Sequence, residues 1–228
     1  ELHAKQEQQT GAVVKGKKNH LILLNCETLD YELIKADFEP YVVVLLNSNV
    51  SHSLASSEYN VRRDECDTAL VAIKKKHPNY HFLTEIPIKV VEEFKNVLPV
   101  KIYKRALYVA QENKRTLKAA NCLKKKDLKG FGEYLYRSHH GLQYLYEVSC
   151  KELDFLVAQT KALDFVVGSR MMGGGFGGCT INIVHKDKVG EFIETVSAAY
   201  EEKHAIKLSS IITTISDGVK KIEYGVSN

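Results

Sequence analysis

Five of the chain's 14 glycines lie in one short segment, Ser169-Arg170-Met171-Met172-Gly173-Gly174-Gly175-Phe176-Gly177-Gly178-Cys179. Glycine adopts positive φ angles easily and lets a ligand approach the backbone closely. The alternating β-branched run that follows, residues 180–184, predicts a strand directly after the loop. The segment therefore predicts a glycine-rich connection between strands, either as a wall of a binding site or as a tight turn packed under a helix.

Three nucleotide-binding patterns share features with this loop, and none of them fits it. The spacing Gly173-x-Gly175-x-x-Gly178 matches the dinucleotide fingerprint, but that motif requires a helix after its last glycine. A phosphate-binding P-loop requires a lysine where Cys179 follows Gly178. The kinase-like tetrapeptide Val71-Ala72-Ile73-Lys74 precedes the glycines, whereas in protein kinases it follows them.

The composition is that of a globular protein with a substantial core, since 44% of the 228 residues are hydrophobic and 26% are charged. No apolar run approaches the roughly 18 residues of a membrane-spanning helix, so we expect no membrane partner. The formal charge is only +4, and the lysine clusters at residues 15–18, 74–76 and 124–126 lack interleaved aromatic residues. We therefore expect no nucleic-acid partner.

The cysteines are scattered and form no Cys-x-x-Cys pair, which is typical of free thiols in a reducing cytoplasm. They are Cys26, Cys66, Cys122, Cys150 and Cys179. His139 and His140 are adjacent, so on a helix their side chains point about 100° apart and cannot chelate one metal ion together. We predict surface or capping roles for both histidines, no metal site and no covalent nucleophile.

Apolar periodicity predicts six strands, at residues 20–26, 31–35, 41–46, 165–167, 180–184 and 211–215. It predicts helices from 53–57 to about 76, at 102–125, from Asp127 to Leu142, at 149–161 and at 187–204, with a short element at 90–96. The order strand, glycine loop, strand, helix, strand indicates an α+β fold with a split β-α-β sheet and helices on one face. Residues 1–16 are predicted to be an irregular lead-in and residues 17–228 the folded domain.

Three blocks resemble the galactokinase family of the GHMP kinase superfamily of small-molecule kinases. The first is Asn47-Ser48-Asn49-Val50-Ser51-His52-Ser53-Leu54-Ala55-Ser56-Ser57-Glu58-Tyr59-Asn60-Val61-Arg62-Arg63-Asp64-Glu65-Cys66. The second is Tyr146-Glu147-Val148-Ser149-Cys150-Lys151-Glu152-Leu153-Asp154, and the third is the glycine segment. The resemblance runs from about Lys17 to the C-terminus and covers the C-terminal portion of the family only.

This resemblance implies a ferredoxin-like GHMP kinase C-terminal domain with additional helices. Family members transfer the γ-phosphoryl group of ATP, with Mg²⁺, to the anomeric hydroxyl of α-D-galactose. By resemblance, Tyr59 would contact the sugar. The glycines expected to back the sugar and phosphate cleft are Gly173, Gly174, Gly175, Gly177 and Gly178.

The family's sugar motif and phosphate loop have no counterpart in this sequence. Its catalytic aspartate would fall near residues 7–9, where the chain has Glu7-Gln8-Gln9. We therefore expect no catalytic residue in this chain, no activity from the chain alone, and an N-terminal half of the same protein as its partner. Without that half, an exposed apolar face would favour self-association. The alternatives are a non-catalytic sugar sensor or interaction module, and a kinase for a related sugar such as N-acetylgalactosamine.

Overall fold

The strands and helices follow the apolar periodicity of the sequence in a computed structural model that describes residues 15–51 and 55–219. Within these residues, the elements in chain order are β1 (His20–Leu24), β2 (Tyr31–Lys35), β3 (Tyr41–Ser51), α1 (Ala55–Lys74), α2 (Ile88–Glu92), α3 (Val100–Lys124), α4 (Leu128–Gly141), α5 (Lys151–Thr160), β4 (Val166–Met171), β5 (Gly177–His185), α6 (Val189–His204) and β6 (Ser209–Thr213). A π-helical turn, Leu142–Tyr146, extends α4. Short 3-10 turns occupy Leu83–Glu85 and Lys186–Lys188.

The main sheet has the predicted ferredoxin-like topology. Its strand order is β4-β5-β3-β6, and every neighbouring pair is antiparallel. Strands β5 and β6 are therefore parallel to each other, with β3 between them and α6 as their connection, which is a split β-α-β unit. Strands β3 and β4 are likewise parallel to each other, with β5 between them. A separate two-stranded sheet is formed by β1 and β2.

Both faces of the main sheet are covered by helices, so the expectation of helices on one face was wrong. On one face, Val44 and Val184 pack with Leu156 of α5 and Phe192 of α6. On the other face, their neighbours Val43 and Ile183 pack with residues of α3 and α4. The physical reason lies in β3, whose continuous apolar run from Tyr41 to Leu46 points to both sides of the pleated sheet, and in β5, where the adjacent Ile183 and Val184 do the same.

Strand β3 continues to Ser51, beyond the end predicted at Leu46. It passes Asn49, which has a φ of 54°, and an irregularity of register between Asn47 and Ser51. Asparagine tolerates this left-handed conformation, and the Asn49 side-chain Nδ2 donates to the Lys207 carbonyl at 2.8 Å. The polar residues that suggested a break are thus a bulged continuation of the strand.

The other helix and strand ends differ from the predicted ends by a few residues, and the reasons lie in neighbouring residues. Strand β1 ends at Leu24 because the Asn25 side chain accepts a hydrogen bond from the Glu27 amide at 2.9 Å and begins the hairpin turn. Helices α2 and α3 begin directly after Pro87 and Pro99. Asp127 caps α4 as predicted, accepting from the Gly130 amide at 2.8 Å.

Some predictions concern residues for which the structure gives no account. The lead-in predicted for residues 1–16 lies outside the described residues except at its last two positions, and Glu7-Gln8-Gln9 and residues 52–54 of the first block also lie outside. The five cysteines all lie within the described ranges and are free thiols. Among the helices that can be described, none is both long and apolar enough to cross a membrane.

Helix α4 packs closely against strand β4. A methyl group added at Gly132 would lie 2.0 Å from the Val167 carbonyl oxygen. Because that oxygen belongs to the strand backbone and cannot move aside as a flexible side chain could, we expect Gly132→Ala to lower the free energy of unfolding by about 2 kcal/mol or more. Urea denaturation measures this as a fall in the midpoint.

Gly190 in α6 supplies the matched control, since a methyl group there meets nothing within 4 Å. Gly190→Ala should raise stability by up to about 1 kcal/mol through helix propensity. Equal effects of the two substitutions would contradict the close packing of α4 on β4.

Candidate functional site

Three elements meet at one end of the main sheet. There β3 ends at Ser51, α1 begins within the next few residues, and β4 turns into β5 through residues 172–176. Ser51 is paired with Gly177, which sets the end of β3 beside the glycine turn. The topology therefore brings Tyr59, in the second turn of α1, to the same end of the sheet as the glycines.

The turn between β4 and β5 is anchored on its inner side by backbone contacts. The Met172 amide donates to the Cys179 carbonyl at 3.0 Å and closes the hairpin. The Phe176 amide donates to the Val148 carbonyl at 2.7 Å, and the Ser48 hydroxyl donates to the Gly178 carbonyl at 2.8 Å. The predicted loop of residues 169–179 is thus mostly strand, with a short and well-held turn at its centre.

The glycines of the turn serve different purposes. Positive φ angles occur at Gly173 (81°), Gly175 (90°), Gly177 (122°) and Gly178 (84°). Gly175 is also required by packing, because a methyl group there would lie 2.1 Å from the Val148 carbonyl oxygen. A methyl group at Gly173, Gly174 or Gly178 would meet nothing within 4 Å, so this side of the turn is open. The turn is therefore packed on one side and accessible on the other, and its role as a wall of a binding site stays a prediction.

Arg62 connects α1 to the segment beneath the turn. Its side chain is buried, with 8% of the residue exposed, and the Arg62 Nε donates to the Tyr146 carbonyl at 2.9 Å. Nη2 donates to the Glu147 carbonyl at 3.0 Å. The guanidinium carbon also lies 5.9 Å from the centre of the Phe176 ring, within cation–π range. Arg62 therefore touches both the π turn and the glycine turn.

Arg105 of α3 completes the same network and is fully buried. It donates to Glu65 Oε2 at 2.6 Å, to the Leu145 carbonyl at 2.5 Å and to Glu147 Oε2 at 2.8 Å. Lys104 adds an ion pair with Glu147 at 3.1 Å. Together with Arg62, these residues form a charge network that holds the end of the π turn and its left-handed cap, Glu147, which has a φ of 55°.

The electrostatics of this network follow from burial and pairing. Burial alone lowers the pKa of Arg105, but the hydrogen bonds to Glu65 and Glu147 raise it overall. Burial alone raises the pKa of Glu147, and Arg105 and Lys104 more than reverse this. Burial also raises the pKa of the Tyr146 phenol, with smaller contributions from Cys66 and Tyr59. Tyr59 is thus near enough to Tyr146 to interact with it electrostatically.

Sequence reasoning missed this network and misplaced one histidine. Arg62 and Glu65 stand in a run of four charged residues, 62–65, that gives no sign of burial, yet Arg62 is buried. His139 is also buried rather than at the surface, at 4% exposure. Its Nδ1 accepts from the Met171 amide at 3.2 Å, and its Nε2 lies 3.2 Å from Asp154 Oδ1. One feature of the sequence could have indicated the charge network: Arg105 lies within the apolar stripe of α3, next to Ala106.

The described residues of the site form a candidate binding surface without a cluster of metal ligands. They include no cluster of three or more His, Cys, Asp or Glu side chains arranged to hold a metal ion. The site consists of the rigid turn between β4 and β5, which is open on its glycine side, and of helix α1, which carries Tyr59 near its start. Such a surface can position a ligand by close contact and backbone hydrogen bonds.

Comparisons with known proteins agree with this geometry. Residues 119–202 match the family model "GHMP kinases C terminal". The chain is 45% identical to a galactokinase of Clostridium acetobutylicum over 91% of this chain and 53% of that protein. It is 40% identical to a galactokinase of Thermotoga maritima over 92% of this chain and 57% of that protein.

Solved structures show the same similarity. Lactococcus lactis galactokinase, in complex with galactose, superposes with a TM-score of 0.86 at 32% identity, over 92% of this chain and 54% of that one. Mevalonate kinase of L. major shares the fold alone, with a TM-score of 0.53 at 15% identity over 88% of this chain and 50% of that one. The chain spans about half the length of the curated relatives it matches. The predicted resemblance to the C-terminal portion of galactokinases is confirmed, with residues 119–202 matching the GHMP kinase C-terminal family.

Two glycines of the turn give a matched pair of substitutions. Gly175→Ala should lower the free energy of unfolding by about 2 kcal/mol or more, because it combines a positive φ with a backbone clash. Gly174→Ala should change stability by no more than about 0.5 kcal/mol, since its φ is not positive and space is open. Thermal or urea unfolding distinguishes the two, and a large loss at Gly174 would contradict the open side of the turn.

The buried arginine gives a second prediction. Arg105→Met leaves Glu65 and Glu147 without their main cationic partner and should cost about 3–5 kcal/mol at neutral pH. Because pairing lowers the pKa of Glu147, its contribution to stability is present above the ordinary carboxyl value of 4.5 and lost as the pH falls through the lowered pKa. The difference between wild type and variant should therefore shrink in acid.

The control is the exposed ion pair of Lys124 with Glu32, at 2.7 Å. Lys124→Met should cost less than about 1 kcal/mol because solvent screens the pair. Urea titrations at several pH values measure both variants, and a cost for Arg105→Met no greater than that of the control would refute the role of the network.

Proposed function

We propose that this chain is the C-terminal half of a galactokinase, the enzyme that transfers the γ-phosphoryl group of ATP to the anomeric hydroxyl of α-D-galactose. The observation that carries the proposal is the open side of the glycine turn, held rigidly at the same end of the sheet as Tyr59. The similarity to galactokinases over nine-tenths of the chain supports it. In this proposal the chain forms one wall of the active-site cleft.

In the proposed cleft, Tyr59 contacts the sugar and the glycine turn backs the sugar and the transferred phosphate. Phosphoryl transfer needs mainly accurate positioning and stabilisation of charge, with little covalent chemistry from the protein. A turn whose open glycines present no side chains lets a substrate lie against the backbone. Fixing the turn beforehand reduces the cost of orienting the substrate during the reaction.

The reactive groups are proposed to come from the other half of the protein. By the resemblance, that half supplies the sugar motif, the phosphate loop, the catalytic aspartate and most contacts to ATP and Mg²⁺. The described residues hold no carboxylate cluster suited to Mg²⁺, and we assign them no step that uses it. The chain alone is then inactive, and a cytoplasmic location is part of the same proposal.

Edge strand β6 supports the expected self-association of the isolated chain. Its residues Ile211 and Ile212 are 59% and 57% exposed. Within the part of the chain that the structure describes, β6 pairs on one side only, with β3. An exposed apolar edge strand favours pairing with another chain.

The activity test compares this chain with the longer protein that contains it, using galactose and N-acetylgalactosamine. We expect ATP turnover with galactose from the longer protein and none from this chain. Activity from this chain alone would overturn the assignment of the reactive groups. Galactose binding without turnover in the longer protein would favour a sensor, and preference for N-acetylgalactosamine would favour a related sugar kinase.

Tyr59→Phe in the longer protein tests the sugar contact. Loss of one hydrogen bond to the substrate should raise KM for galactose by about 3- to 10-fold with a smaller change in kcat. Tyr31→Phe, in the β1–β2 hairpin, is the control and should leave KM unchanged. An unchanged KM in Tyr59→Phe would remove Tyr59 from the sugar site.

A further inference from the structure

Away from the glycine turn, a cavity of about 460 Å³ lies along the packed pair α3 and α4, and its lining is strongly basic. It also includes residues from α2 and from the end of α5. The cationic side chains that line it are Lys114, Arg115, Lys118, Arg137 and Lys161. We call this cavity the basic groove. Its lining includes no acidic residue and no residue of the glycine turn or of the Arg62–Arg105 network.

Only part of this charge is compensated by nearby carboxylates. Arg115 is paired with Glu112 within the helix, and Arg137 lies 3.6 Å from Glu133. Within the described ranges, the lysines of the groove have no ion-pair partner. Its lysines therefore leave a local excess of positive charge in a chain whose formal charge is only +4.

The helical spacing makes this excess unfavourable for folding. Lys114 and Lys118 are four residues apart on α3, where like charges repel and weaken a helix. Arg115 is three residues from Lys118 and adds to the repulsion. A bound anion would relieve this repulsion.

Aromatic rings hold two of the cations in place. The Arg137 guanidinium lies 5.5 Å from the centre of the Tyr134 ring, and the Lys161 ammonium 5.9 Å from that of Tyr136. Tyr136 is itself fixed by a hydrogen bond with Thr160 at 3.0 Å. Cations oriented before binding lose less conformational entropy when they contact an anion.

We propose that the basic groove binds an oligophosphate group, carried either by a nucleotide or by free polyphosphate. The five cations line the groove, so a ligand must present several anionic oxygens to reach more than one of them. Arginine and lysine are the usual partners of phosphate oxygens. A cavity of this size falls within the range that accommodates one small molecule.

The test is calorimetric titration of this chain at low salt with tripolyphosphate, ATP and adenosine. We expect the two phosphate compounds to bind and adenosine not to bind. The double variant Lys114→Glu, Lys118→Glu should bind them at least tenfold more weakly. The control, Lys75→Glu with Lys129→Glu, makes the same charge change at exposed lysines outside the groove and should stay within twofold of the parent chain.

The source of the phosphate is decided by Tyr134→Leu, which removes a ring from the lining. If ATP binds more tightly than tripolyphosphate and the variant abolishes the difference, the ligand is a nucleotide. If the two bind equally and the variant changes neither, the ligand is free polyphosphate. Lys161→Glu alone is a second variant, with a thermal melt to confirm folding, and it should also weaken binding.

Unchanged binding in both the double variant and Lys161→Glu would overturn the proposal, as would an equal loss in the control or the absence of any binding. The readout is binding to this chain and does not depend on sugar phosphorylation. A failed galactokinase assay would therefore not contradict the proposal for the basic groove. Equally, a groove that binds no phosphate compound would not contradict the proposed kinase function.

Discussion

The architecture of the candidate site depends on how the chain satisfies the end of one helix. The last carbonyls of a helix have no helical partner, and here α4 ends in a π turn beneath the glycine hairpin. Arg62 and Arg105 donate to the carbonyls of Leu145, Tyr146 and Glu147. Cations are also favoured there by the negative end of the helix dipole.

Two buried arginines would be costly without counter-charges, and the chain supplies them from the same segments. Glu65 lies one turn from Arg62 on α1, and Glu147 lies at the cap that the arginines hold. Next to that cap, the Val148 carbonyl accepts the Phe176 amide and sits directly under Gly175. The charge network thus fixes the backbone on which the glycine turn rests, and α1, with Tyr59, is joined to the turn by the same residues.

Much of the sheet could be predicted because the apolar pattern that indicates each strand lies within the strand itself. Alternating and continuous apolar runs predicted all six strands, and the order of strands and helices around the glycines predicted the split β-α-β unit. The end of β3 could not be predicted, because its continuation depends on Asn49 in a left-handed conformation and on pairing with Gly177.

The charge network could not be predicted for a related reason. Its partners lie far apart in sequence, since Arg105 and Glu65 are 40 positions apart and Arg62 and Glu147 are 85 positions apart. His139 escaped prediction in the same way, since its burial depends on β4 and α5. Sequence periodicity identifies the face of a helix, but it does not identify a distant partner.

The five glycines of the turn and of the start of β5 are not equivalent, because the fold requires glycine at some of these positions and not at others. Gly175 is required by the fold, because a side chain would collide with the backbone of Val148. Gly173, Gly177 and Gly178 have positive φ angles, which favour glycine whatever lies nearby. Gly174 has neither constraint: its φ is not positive, and a methyl group would enter open space. Folding therefore makes no demand for glycine at this position, and in the proposed cleft the close approach of a substrate to the backbone would account for it.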